Sequence, residues 1–227
     1  MMITNKGNMT KIKTISLLLP FKLGSVNCYL IENDSNYVLI DTGSSKQRTE
    51  LEKELENAGC KPGHLKLIII THGDFDHIGN AAYLRHKFAA QVAMHQDDSG
   101  MAEYGDMFVN RKQPNILIRK IIPILSGFGK EERFKPDILI KEGDDLFGYG
   151  LKADVISIPG HSKGSIGILF DNGDLFCGDL FENKENPSLN SIMDDMAVAK
   201  ASVERLKRLE IKTVYPGHGK TFLMEQL

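Results

Sequence analysis

Thr71-His72-Gly73-Asp74-Phe75-Asp76-His77 packs two imidazoles and two carboxylates into six residues, His72 to His77. Groups of these types can all offer a nitrogen or oxygen lone pair to a divalent metal. The stretch follows Leu67-Ile68-Ile69-Ile70, an apolar run that reads as a buried strand, so the ligands stand on a loop at a strand end. Three other strand ends carry the same residue types. His161 follows Ser157-Ile158-Pro159-Gly160, Asp179 follows Phe176-Cys177-Gly178, and His218 follows Val214-Tyr215-Pro216-Gly217. A glycine before each lets the backbone turn sharply and aim the side chain into a shared cleft. One Pro-Gly-His is ordinarily a turn and nothing more, whereas four ligand loops at four strand ends point to a common centre. His64, His86 and His95 fall outside this arrangement and read as surface or partly buried histidines.

The elements that must position these loops follow from the patterning. Residues 12–19, 25–32 and 36–41 read as strands, the last two joined by Asn33-Asp34-Ser35-Asn36. A helix capped by Ser44 or Ser45 runs to about residue 58, with Leu51, Leu55 and Ala58 on its apolar stripe. The strand at 65–70, the ligand loop, a helix opening at Gly79 or Asn80 and a strand at 91–94 complete the first half. Strands are expected again at 137–140, about 145–147, 153–158, 165–170 and 174–177, with a hairpin turn at Asp171-Asn172-Gly173-Asp174. A helix is expected from about Met193 to Leu209, burying Met196, Ala199, Val203 and Leu206, before a last strand at 212–215. Residues 96–135 break this rhythm. They read as helices, either a peripheral pair or a cap over the site, and residues 110–135 hold seven Lys/Arg against two acids. Two β-rich halves with helices outside form a layered α/β sandwich, expected as one domain over residues 1–227.

The 227-residue chain is 41% hydrophobic and 26% charged, a composition that builds a core and argues against disorder. A net charge of -2 gives no electrostatic reason to expect a nucleic-acid partner. No stretch reaches the roughly 18 apolar residues of a membrane span. The apolar run Ile15–Phe21 is short and broken by Pro20, unlike a secretory leader, so a cytoplasmic location is the expectation. Cys28, Cys60 and Cys177 form no Cys-x-x-Cys pair and read as small buried residues.

The full set resembles the metallo-β-lactamase fold superfamily, whose pattern is His-x-His-x-Asp-His followed by a His, an Asp and a final His. The likeness runs from Asn27-Cys28-Tyr29-Leu30 and Leu39-Ile40-Asp41-Thr42-Gly43 to Pro216-Gly217-His218. It implies a four-layer αββα sandwich and a two-metal site. One metal would be held by His72, Asp74 and His161, the other by Asp76, His77 and His218, with Asp179 bridging. Asp41 would be the buried acid that holds a ligand histidine from behind. Asp74 stands where the family has its second histidine. Either its carboxylate replaces the imidazole as ligand, or it is too short to reach and that metal is weakly held. As a ligand it would make three carboxylates, leaving two divalent ions with one formal positive charge instead of two. That acidifies bound water less and moves preference from zinc towards iron or manganese, with zinc still the expected metal and the other two the alternatives.

The resemblance further implies a hydrolase in which a bridging hydroxide attacks a substrate and Asp76 orients it or takes its proton. Small esters, thioesters and lactones are the expected substrates. Glyoxalase-type members carry a helical extension after the last histidine. Only nine residues follow His218 here, so that pocket is expected to be missing. A di-iron redox protein is the alternative, because the flavodiiron branch also has a carboxylate at the position of Asp74. A binding domain with a decayed site is the third reading, opposed by seven retained ligand-type positions.

Overall fold

The computed structural model describes residues 11–19, 24–33, 36–111 and 115–227. The first sheet is built from β1 (Lys11–Leu18), β2 (Ser25–Asn33), β3 (Asn36–Ile40), β4 (Leu65–Ile70), β5 (Gln91–His95) and β6 (Ile138–Ile140), in that spatial order. The first two pairings are antiparallel and β3 to β6 run parallel. Parallel neighbours need crossovers. Helix α1 (Arg48–Asn57) links β3 to β4; α2 (Phe75–Ile78) and α3 (Ala81–Phe88) link β4 to β5. Between β5 and β6 lie α4 (Gln96–Tyr104) and α5 (Ile116–Ser126).

The second sheet contains β7 (Ala153–Ser157), β8 (Ile166–Phe170), β9 (Asp174–Asn183), β10 (Ser188–Leu189), β11 (Thr213–Gly219) and β12 (Phe222–Leu223). Its order is β12-β11-β9-β8-β7, with β10 on β9. Helix α6 (Met196–Leu206) joins β10 to β11.

Three apolar cores establish the layering. Leu51, Leu55, Ile68, Ile70, Leu84 and Phe88 fill the space between α1, α3 and the first sheet. Ile31, Val38, Leu67, Ile69, Val155 and Ile168 fill the space between the sheets. Ile156, Leu175, Phe181, Ala199 and Leu206 lie between the second sheet and α6. Strands sandwiched on both faces read as continuous apolar runs, which is why Leu67–Ile70 does not alternate. The αββα sandwich is therefore the observed fold. Tyr29, Phe176 and Tyr215 clasp the two sheets beneath the ligand loops. Phe176 and Tyr215 stack at 4.6 Å, and Tyr29 meets Phe176 edge-on at 5.0 Å. Each such contact adds about 0.5–1.5 kcal/mol beyond burial.

Several expectations need correcting. The ligand stretch is not all loop: Phe75–Ile78 forms a turn of helix with Asp74 at its N-cap position. No strand occupies 145–147. Asp145 makes an isolated bridge to Asp154, and Phe147–Tyr149 is a 3-10 turn. Strands β9 and β11 run on through Asp179 and His218 instead of ending before them, because the two pair in parallel with register shifts around Pro216. Helix α6 is shorter than expected and leaves Met196 exposed, while Ser202 is buried and donates to the Pro159 carbonyl. Asp34, Ser35, Pro20 and Phe21 lie outside the described residues. Cys28, Cys60 and Cys177 are buried free thiols, as their spacing suggests. Among the described residues, no helix is long and apolar enough to cross a membrane.

Candidate metal centre

The seven ligand-type residues converge at one end of the sandwich. His72 and Asp74 follow β4, Asp76 and His77 sit on α2, His161 follows β7, and Asp179 and His218 project from β9 and β11. Single ligand atoms of His72, His161 and Asp179 lie within 4.8 Å of one another, and so do those of Asp76, His77 and His218. Asp179 stands between the groups. Its Oδ1 is 3.3 Å from His77 Nε2, and its Oδ2 is 3.2 Å from His218 Nε2 and 4.0 Å from both His72 Nε2 and His161 Nε2. Asp74 joins the first group by its Oδ2, which is 3.0 Å from His161 Nε2 and 3.9 Å from His72 Nε2. Atoms sharing an ion through bonds of about 2.1 Å stand roughly 3.3–3.5 Å apart.

Each imidazole is held from behind. His77 Nδ1 lies 2.9 Å from Asp41 Oδ2. His161 Nδ1 donates to the Ile192 carbonyl and His218 Nδ1 to the Ser25 carbonyl, both at 2.7 Å. His72 Nδ1 lies 3.0 Å from the Thr71 hydroxyl, which itself donates to Asp41 Oδ2 at 2.7 Å. These partners are acceptors, so the neutral form of each imidazole carries its proton on Nδ1 and turns its Nε2 lone pair to the centre. The Nε2 atoms of His72 and His77 and the Oδ1 of Asp179 are buried with no hydrogen-bond partner. Buried polar atoms are rarely left unsatisfied, and an ion would satisfy all three. The donor set therefore fits divalent metal.

Backbone geometry explains the glycines. Gly178 has φ +49°, and a Cβ there would press on Thr71. Gly217 is different: its φ is ordinary, but a Cβ would collide with Asp179 Oδ1. The glycine before His218 thus makes room for the Asp179 carboxylate more than it permits a turn. The turn itself is clamped from the other sheet. Asn27 Nδ2 donates to the carbonyls of Pro216 (3.0 Å) and Gly219 (2.8 Å), and Tyr29 Oη donates to Pro216 (2.6 Å). That gives the Asn27-Cys28-Tyr29 stretch its role.

Two neighbours were not legible as site residues. Arg111, from the cationic 96–135 segment, is buried against Asp74 Oδ1, with its Nε 2.9 Å from Asp194 Oδ2 and its Nη2 3.4 Å from the His161 carbonyl. Asp98 on α4 is fully buried beside Gly73 and Ser162. His64, His86 and His95 stay outside both ligand groups.

Electrostatics in the metal-free chain follow from crowding. Burial holds His72 well below the ordinary imidazole value, aided by the charges of His77 and His161. Burial also opposes protonation of His161, but the adjacent Asp74 outweighs it and pushes the group up to about 9. His77 and His218 are likewise raised against burial, chiefly by Asp179. Burial disfavours the Asp74 carboxylate, yet Arg111 and His161 hold it well below the usual range. His218 and His77 do the same for Asp179. Protons thus occupy the place of metal and must leave as it binds. A base whose folded value is raised stabilises the fold fully below its unfolded value, near 6.5, and loses that contribution as pH rises through the folded value. Three histidines act in this sense; His72, whose value is lowered, has the opposite linkage, but its change is complete below the unfolded value and leaves the range above it flat. The melting temperature of chelator-treated protein is expected to fall between about pH 6.5 and 9.5, while the metal-loaded protein stays level. Differential scanning fluorimetry on both forms checks it.

The metallo-beta-lactamase superfamily model matches residues 22–218. The chain belongs to the metallo-beta-lactamase superfamily. It is 29% identical over 201 residues to the probable metallo-hydrolase MJ0888 of Methanocaldococcus jannaschii, covering 86% of this chain and 88% of that protein. It is 32% identical over 159 residues to the uncharacterized protein YobT of Bacillus subtilis, covering 69% of this chain and 62% of YobT. It is 26% identical over 153 residues to the hydroxyacylglutathione hydrolase GloC of Haemophilus influenzae, covering 67% of this chain and 64% of GloC. The matches thus span less than two thirds of both YobT and GloC. Among solved structures it resembles TTHA1623 in a di-iron-bound form, with a TM-score of 0.71, 26% identity, and coverage of 94% of this chain and 96% of that one.

Proposed function

We propose that the protein is a dinuclear metal-dependent hydrolase of small esters, thioesters or lactones. The observation that carries this is the convergence of buried, unpartnered His72 Nε2, His77 Nε2 and Asp179 Oδ1, with every ligand imidazole braced through Nδ1. His72, Asp74 and His161 would hold one ion, Asp76, His77 and His218 the other, and Asp179 both. A pair of divalent ions supplies Lewis acidity and an acidified water at neutral pH. The chain supplies the rest. Asp76 is the most exposed of the three carboxylates facing the histidines, its side chain 29% accessible, with Oδ2 3.5 Å from His218 Nε2. From there it orients the attacking water and takes its proton at a site solvent can relieve. GloC, named as a hydrolase of hydroxyacylglutathione, supports the thioester end of this range.

The test has two parts. Elemental analysis of protein purified from metal-replete medium is expected to find about two ions per chain. A panel of lactone, ester, thioester and phosphoester substrates should then reveal chelator-sensitive turnover among the first three. No turnover across the panel by a fully loaded protein would overturn the reading. At Asp74, alanine is expected to lose one ion per chain and histidine to retain both. Unchanged metal content in Asp74→Ala would mean that Asp74 is no ligand.

A second reading, a di-iron redox protein, is favoured by the carboxylate at position 74 and by the likeness to TTHA1623 in its di-iron-bound form. Iron in the purified protein together with reductant-dependent turnover of oxygen or nitric oxide would select it. Zinc alone with ester hydrolysis would exclude it.

A further inference from the structure

Asp98 is a carboxylate in the first turn of α4 with no exposed surface. A buried charge without partners is costly, so its contacts matter. It has three donors, and they come from two loops distant in sequence. Oδ2 accepts from the Gly73 N–H at 3.0 Å and from the Ser162 hydroxyl at 2.6 Å. Oδ1 accepts from the Gly164 N–H at 2.9 Å. Gly73 lies between His72 and Asp74, and Ser162 directly follows His161. The same helix packs tightly on both loops. A Cβ at Gly73 would collide with Met101 of α4, and one at Gly164 would collide with Asp98 itself. Ser162 is further tied to Ser165, whose hydroxyl lies 2.7 Å from its own.

We infer that Asp98 is a positioning residue for one metal only, clamping the His72–Asp74 loop to the His161 loop. Asp41 braces His77 directly and His72 only through Thr71, so the centre has two buried acids with divided duties. The inference rests on the two-metal reading above and adds which residue holds the first site's loops together. Asparagine at position 98 keeps shape and can still accept from Gly164. Its amide, placed where Oδ2 was, then faces the Gly73 N–H donor to donor. The link to the His72–Asp74 loop is cut while the link to the His161 loop survives.

The experiment compares wild type, Asp98→Asn and Ser162→Ala as full-length protein loaded with zinc. It reads stoichiometry by elemental analysis and stepwise affinity by competition with a chromophoric chelator. In Asp98→Asn one zinc is expected to bind about 10–100-fold more weakly, while the other keeps wild-type affinity; the metal-free melting temperature falls as well, because the buried Gly73 N–H loses its acceptor, so the difference between the two ions is the deciding readout. In an Asp74→Ala background, Asp98→Asn should cost no further ion. Two zinc ions at unchanged affinity would overturn the inference. So would equal weakening of both in step with a lower melting temperature, the mark of a general scaffold residue. If Asp98→Asn does not fold, Ser162→Ala must weaken that same single ion by a few-fold, and no change there overturns the inference. Wild type retaining fewer than two zinc ions under these conditions would instead remove the two-metal reading itself.

Discussion

Asp41→Asn is expected to weaken the hold on one metal and to destabilise the fold by about 3 kcal/mol, as loss of a buried, multiply bonded charge does. The carboxylate receives Thr71 N–H at 2.9 Å on Oδ1, and the Thr71 hydroxyl and His77 Nδ1 on Oδ2. An asparagine can keep Oδ1, but its amide then faces the His77 Nδ1–H. Relief requires His77 to carry its proton on Nε2 instead, the atom that must face the metal. The variant should bind that ion about 10–100-fold more weakly while keeping its secondary structure. Elemental analysis with circular dichroism separates the two effects. Asparagine is the informative substitution because Asp41 has φ +59°, a left-handed conformation that Asn tolerates and alanine resists.

Gly217→Ala is the other change of large effect. One methyl group would land on Asp179 Oδ1 and against His77 Cε1. Among the described residues Asp179 is the carboxylate that stands between both ligand groups, so displacing it would disturb both ions of the proposed centre. Turnover is expected to fall at least about 10²-fold, since small misplacements at a reacting centre cost that much. The neighbouring backbone stays clamped by Asn27 and Tyr29, so the melting temperature of metal-free protein should drop far less than that of the loaded protein. Comparing the two melts with the rate of ester or thioester hydrolysis checks it.

The sandwich and the seven ligand-type positions were legible because ligand side chains followed apolar strands in a fixed order. What escaped was set by burial and pairing, which a single sequence does not display. Asp97 and Asp98 look alike as acids in the first turn of a helix. Only packing shows that Asp98 faces Gly73 and Ser162 while Asp97 faces water. The lysines and arginines of residues 110–135 read in sequence only as a cationic stretch. Arg111 instead directs its charge to Asp74 and Asp194, so the extra carboxylate in the ligand stretch is met by a cation of the chain itself. The strand ends shifted because β9 and β11 pair with each other beyond their apolar segments, a long-range effect without local signal.

The centre straddles the two sheets, and this has a consequence for the order of folding. Asp74 and His161 meet across 87 positions of sequence, and Asn27 reaches Gly219 across 192. No half of the chain owns a complete ligand set, so neither sheet alone can capture an ion tightly. Closing loops of this length is paid in chain entropy before any contact returns it. Metal uptake should therefore come after the sheets dock, and the ions then act as late cross-links that slow their separation. In refolding followed by a zinc-sensitive dye, uptake should lag the recovery of secondary structure, and added metal should slow unfolding more than it speeds folding.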